Sequence, residues 1–107
     1  MSFIKQEYVV GAEANHQIDM GEIPQNCRMM IKVSGDFGTM TAQVGHMATQ
    51  QDGTQIFAPF CEENGTAIPA HTTEFTQVVS AGANKVWINI AGADGATDVV
   101  LTSEAAW

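Results

Sequence analysis

The sequence predicts an all-β fold, an antiparallel β-sandwich of about eight short strands with jelly-roll or Greek-key-like connections. Three observations predict it. Apolar and polar residues alternate with a period of two in most segments, which buries one strand face and wets the other. Turn residues, chiefly Gly, Asp, Asn and Pro, punctuate the chain at short and regular intervals. No stretch sustains a helical period beyond a turn or two.

The first predicted strand covers residues 3–10, with Ile4, Tyr8 and Val10 on one face and Lys5 and Glu7 on the other. Residues 11–15 form a turn. His16, Ile18 and Met20 alternate with Gln17 and Asp19 in a short second strand. A loop containing Pro24 leads to residues 27–49, the stretch with the clearest pattern. There Cys27, Met29, Ile31 and Val33 alternate with Arg28, Met30, Lys32 and Ser34, and Met40, Ala42 and Val44 alternate with Thr39, Thr41 and Gln43. Between these runs lie Gly35, Asp36, Phe37 and Gly38, and the pattern predicts a hairpin turning at the two glycines.

Asp52-Gly53 ends that segment as a turn. Residues 54–60 then read as a strand, with Ile56, Ala58 and Phe60 on one side. Pro59 cannot donate to a ladder, so this strand lies at a sheet edge or ends there. Residues 62–65 turn, and residues 66–71 are extended and broken by Pro69. A Thr- and Val-rich strand covers 72–80, and 81–84 turn into a second predicted hairpin. In it Val86, Ile88 and Ile90 alternate, residues 91–96 (AGADGA) reverse the chain, and Val99 and Leu101 point inward. Residues 103–107 receive no assignment. The expected core is Ile31, Val33, Val44, Ile56, Phe75, Val86, Ile88, Val99 and Leu101.

With 107 residues the chain forms a single domain, 1–107, large enough for a core without staples. Four basic residues face twelve acidic ones, a net charge of −8. That balance repels nucleic acid and anionic membrane surfaces, so neither is expected as a partner. No apolar run approaches the ~20 residues of a membrane span, and the N-terminal stretch has no uncharged apolar core of the kind a secretory signal carries. In that setting Cys27 and Cys61 are expected to be reduced, buried, small hydrophobes, although their spacing leaves a disulfide open.

No catalytic or cofactor-binding pattern emerges. His16, His46 and His71 have no metal-ligand spacing with one another or with a Cys. Ser34, Ser80 and Ser103 lack a nucleophile elbow. Asp36-Phe37-Gly38 spells the magnesium-binding tripeptide of kinases in a chain far too short to be one. Glu62, Glu63 and Asn64 lack a calcium-loop pattern and read as a solvated turn, and Asn64-Gly65-Thr66 is a chance glycosylation acceptor without a secretory signal. The expectation is a non-enzymatic protein with no cofactor and no bound metal.

The outward faces are more informative. Met30, Met47 and Trp87 fall out of phase with the buried positions beside them, where Thr, Lys or Gln is usual. They mark an interface, unless the strand phase slips by one or a loop covers the strand. Met30 is expected to share a sheet face with Trp87, and Trp107 is the next candidate contact.

The run 33–57 (VSGDFGTMTAQVGHMATQQDGTQIF) resembles small β-sandwich structural proteins of tailed bacteriophages. The shared order is a Gly-x-Phe-Gly turn (Gly35–Gly38), an Asp-Gly turn (Asp52-Gly53), an aromatic strand at Phe57, an Asn-Gly-Thr turn (Asn64-Gly65-Thr66), a Thr-rich stretch (Thr72-Thr73) and a final Gly-Ala-Asp-Gly reversal (Gly92–Thr97). The likeness covers residues 31–102 and consists of turn chemistry. The acidic balance, the Met content and the N-terminal strand pair depart from it. The resemblance implies a virion component, made in the host cytoplasm, most simply a head decoration or cement protein. Such a protein forms a homo-oligomer and binds the major capsid protein or another virion protein. A tail or baseplate component, and outside the virion a small carbohydrate-binding module using Trp87, Trp107 or Phe37, are the alternative readings.

Overall fold

The computed structural model describes residues 2–11, 16–23, 28–79 and 85–106 of the chain. The described residues form eight strands: β1 (Ser2–Val10), β2 (Gln17–Glu22), β3 (Arg28–Asp36), β4 (Thr41–Thr49), β5 (Gln55–Pro59), β6 (Phe75–Val79), β7 (Lys85–Ala91) and β8 (Asp98–Ala106). They form two four-stranded antiparallel sheets, ordered β1-β8-β3-β6 and β2-β7-β4-β5. The pairings are nested. β4 pairs with β5, β3 with β6, β2 with β7 and β1 with β8. Pairing of β3 with β8 and of β4 with β7 completes each sheet. A long hairpin rolled up on itself in this way is a jelly roll.

The period-two pattern puts alternate residues of both sheets into one core. Met29, Ile31, Val33, Val99 and Leu101 from the first sheet meet Ile18, Met20, Val44, Val86, Ile88 and Ile90 from the second. Each of these is almost fully removed from water. The buried Ser103 hydroxyl joins the two sheets by donating to the Met20 carbonyl at 2.9 Å.

Three expectations need correction. First, β3 and β4 are not a hairpin, and neither are β7 and β8; each pair splits between the two sheets. Alternation buries one face of a strand equally well beside its neighbour or across the core from it, so the period cannot tell the two apart. The β3–β4 connection shows the difference at Phe37, which is buried at the end of the sandwich where a hairpin tip would be wet. Gly35 has φ +120° there, and any Cβ on it would collide with the Asp98 carbonyl oxygen of β8. Second, residues 103–106 belong to β8, a central strand bonded on both sides. Third, Ile56 is 45% exposed. It pairs with Ala48 at the far end of the β4–β5 hairpin, where burial fades along both strands and the core no longer reaches. Phe75, also expected in the core, lies half-buried at its margin.

The two Gly-rich connections that echo each other in sequence meet at one end of the sandwich. Thr97 Oγ1 donates to the Phe37 carbonyl at 2.8 Å and Thr39 Oγ1 to the Gly92 carbonyl at 2.6 Å. Pro59 ends β5, an edge strand as its missing N–H requires. The half of β4 that β5 leaves uncovered is bonded by the following connection, through the Ala42–His71 bridge and the Phe60 amide to the Val44 carbonyl.

Candidate interaction surface

Trp87 lies on β7 between Val86 and Ile88, both fully buried, so its side chain stands on the outer face of the second sheet. Its cross-strand neighbours are Asp19 on β2 and Gly45 on β4. Gly45 leaves a gap in the row, and the Phe57 ring fills it. A Cβ built on Gly45 would come within 2.6 Å of the Phe57 ring edge, as well as striking the Ala58 carbonyl and the Pro59 Cα. Phe57 is paired with Met47, so Trp87, Phe57, Met47 and Pro59 form one continuous apolar surface over three strands. All four side chains are half-buried.

Polar groups surround this surface. On one side the Lys85 ammonium and the Asp19 carboxylate pair at 3.2 Å, and Asp19 also accepts the Gly21 amide at 2.8 Å. On the next rung Gln17 Nε2 donates to Asn89 Oδ1 at 2.8 Å, and Gln43 Nε2 donates to the Ile68 carbonyl at 2.9 Å. An aromatic and Met centre with a hydrogen-bonded rim is the anatomy of a protein-binding patch.

Of the predicted contact residues, the fold brings Trp87 and Met47 together. It separates Met30 from them. Met30 is on β3, on the outer face of the other sheet, beside Val78 and Glu104, so the expected shared face with Trp87 does not exist. Trp107 and Cys27 lie outside the described residues. Cys61 is exposed and free, which overturns the expectation that it is buried. Phe57 and Pro59 are members of the surface that sequence reading missed. Phe57 alternates with Ile56 and Ala58, and its phase shows only once β5 is seen to be in register with β4.

The chemistry elsewhere is sparse. Among the described residues no three His, Cys, Asp or Glu side chains cluster as metal ligands. His46 stacks on Phe60 and His71 on Phe75, with ring centroids 5.6 Å and 3.8 Å apart. An open recess lies between residues 35–38 and 72–74, where Glu74 Oε2 accepts the Gly35 amide at 3.0 Å. Asp94 has its carboxyl held below the usual range, chiefly by the Ala96 amide and then by the Thr39 side chain; Asp52 is held down likewise, chiefly by the Thr54 amide. Both are turn-closing carboxylates. No helix among the described residues is long and apolar enough to cross a membrane. Comparison with family models, with curated proteins and with solved structures finds no match to this chain.

Proposed function

We propose that this chain is a non-enzymatic structural subunit of a tailed-phage virion, most simply a head decoration protein that adheres to the capsid shell through the outer face of its β2-β7-β4-β5 sheet. The observation that carries this reading is the Trp87–Phe57–Met47 surface with its polar rim. Aromatic and Met side chains in such a setting dominate binding energetics and adapt to a partner. The jelly roll supports it by analogy only, since that architecture serves capsid proteins and lectins alike. Aromatic side chains such as Trp87 and Phe57 on one sheet face also suit stacking on a sugar ring, which keeps a carbohydrate-binding module as the second reading.

The experiment is antibody labelling of particles purified from the host that encodes the chain, together with retention of the purified chain on a polysaccharide panel. Label over the heads, with no polysaccharide retention, supports the proposal. Label over tails moves the protein to the tail or baseplate. Absence from particles with retention on a polysaccharide overturns the reading in favour of the module. Trp87→Ala is expected to fold with near-normal thermal stability and to lose particle binding; a variant that binds as well as the parent removes this face from the account.

A further inference from the structure

The sandwich has four edge strands, β1 and β6 in one sheet and β2 and β5 in the other. An open edge is a template for another chain, and proteins guard it with bulges, charges or Pro. Three edges carry such guards. β1 has a register break between Ile4 and Gln6 and includes Lys5 and Glu7. β2 has a break between Asp19 and Gly21 and carries Asp19 and Glu22. β5 ends in Pro59.

β6 has none. Its sequence is FTQVV, without charge, Gly or Pro, and its register with β3 is unbroken. Among the described residues no backbone hydrogen bond reaches the side of β6 away from β3. At its centre Gln77 Oε1 is buried with no hydrogen-bond partner. A buried acceptor without a donor is costly, so its presence at the middle of an open edge needs an explanation.

We propose that two copies of this chain pair β6 to β6, antiparallel about a two-fold axis at Gln77, joining their sheets into one of eight strands. In this register Gln77 faces Gln77, and each carboxamide donates to the other's carbonyl oxygen. Thr76 of one copy faces Val78 of the other, and Phe75 faces Val79. No like charges are opposed. In a chain of net charge −8, β6 carries no charged residue and opposes no carboxylates in any register; β5, also uncharged, ends in Pro59. Val78, 53% exposed beside Met30 on the outer face, is covered at the seam. Five residues are few, so the dimer is reversible and concentration-dependent. The pairing does not rest on the virion reading, and its test is independent of particle binding.

Sedimentation of the purified chain over a concentration series is the first measurement, with Val78→Asp as the disrupting variant. A disulfide trap is the second. In a Cys27→Ser, Cys61→Ser background, Gln77→Cys places two thiols directly opposite each other, with Cα atoms about 4.5–5.5 Å apart, within disulfide reach. Thr76→Cys and Gln55→Cys, the latter on β5, are the controls. The expected result is a reversible dimer, its loss in Val78→Asp, and a covalent dimer for Gln77→Cys that the controls do not form. A monomer at every concentration overturns the proposal. So does a dimer that a folded Val78→Asp leaves intact, or cross-linking no better at 77 than at 55. Should Val78→Asp fail to fold, the trap on an otherwise native β6 decides alone.

Discussion

Ile88 and Ile56 have the same side chain and the same place in a period-two pattern, but the fold treats them oppositely. Ile88 is fully buried and Ile56 is 45% exposed. Ile88→Ala removes packed atoms from the core and is expected to cost about 2–5 kcal/mol in a denaturant titration. Ile56→Ala is expected to change stability by no more than about 0.5 kcal/mol. Equal losses at the two sites would contradict the burial described here. A second residue-scale effect concerns acid. Asp94 is held below its ordinary value of 3.8 by hydrogen bonds that exist only when the turn is folded, first the Ala96 amide and then the Thr39 side chain. The folded state therefore binds its proton less readily than the unfolded state. The stabilisation is fully present above the unfolded value and disappears as pH falls through the folded one. Thermal melts of the parent and of Asp94→Asn should differ by a constant amount at and above mildly acid pH, and the difference should vanish at the acid end. A difference that persists there would show that the carboxylate charge is not what stabilises the turn.

At the scale of elements, the β4–β5 hairpin and its neighbour β7 make the outer surface. Gly45 is the residue that lets them do so. An Ala there meets the Ala58 carbonyl and the Phe57 ring edge, one a backbone atom that cannot swing away. Overpacking of this kind costs about 1–3 kcal/mol. Gly45→Ala is expected to lose stability in that range and to displace Phe57, visible as a change in ring-proton shifts beside an unmoved core. An unchanged stability would mean that β5 is not held against β4 in this register. The elements also account for the two arches. Phe37 fills the end of the sandwich, and the Thr97 hydroxyl satisfies its carbonyl. The burial of Phe37, which only the folded structure shows, goes with a segment that crosses between sheets.

For the whole molecule, a net charge of −8 on 107 residues sets how copies meet. Self-repulsion opposes every homotypic contact and is screened over a Debye length of about 8 Å at physiological ionic strength. The β6 seam is neutral, so salt relieves the long-range repulsion without weakening an attraction. Association is therefore expected to strengthen as ionic strength rises from low to physiological, measured by sedimentation. Weakening with salt would point to ion pairs in the contact and away from β6. The two apolar outer surfaces then serve different neighbours. In the proposed dimer Met30 and Val78 border the seam with a second copy, and the proposed capsid contact uses Trp87, Phe57 and Met47 on the other sheet.

The sequence by itself determined the all-β class, nearly all strand positions, the core positions Ile31, Val33, Val44, Val86, Ile88, Val99 and Leu101, the constraint Pro59 places on β5 and the outward phase of Trp87, Met47 and Met30. These follow from local chemistry: a period of two, the positive φ open to Gly, and the missing donor of Pro59. The tertiary structure alone decided which strands are neighbours. Facing pairs and adjacent pairs bury the same alternate residues, so nothing local distinguishes an arch at Gly35–Gly38 from a hairpin. That choice put Met30 and Trp87 on opposite sides of the molecule and brought Phe57 over Gly45. It also made residues 103–106 a central strand and left Ile56 beyond the core. Contacts between residues far apart in the chain settle each of these, and no single stretch of sequence encodes them.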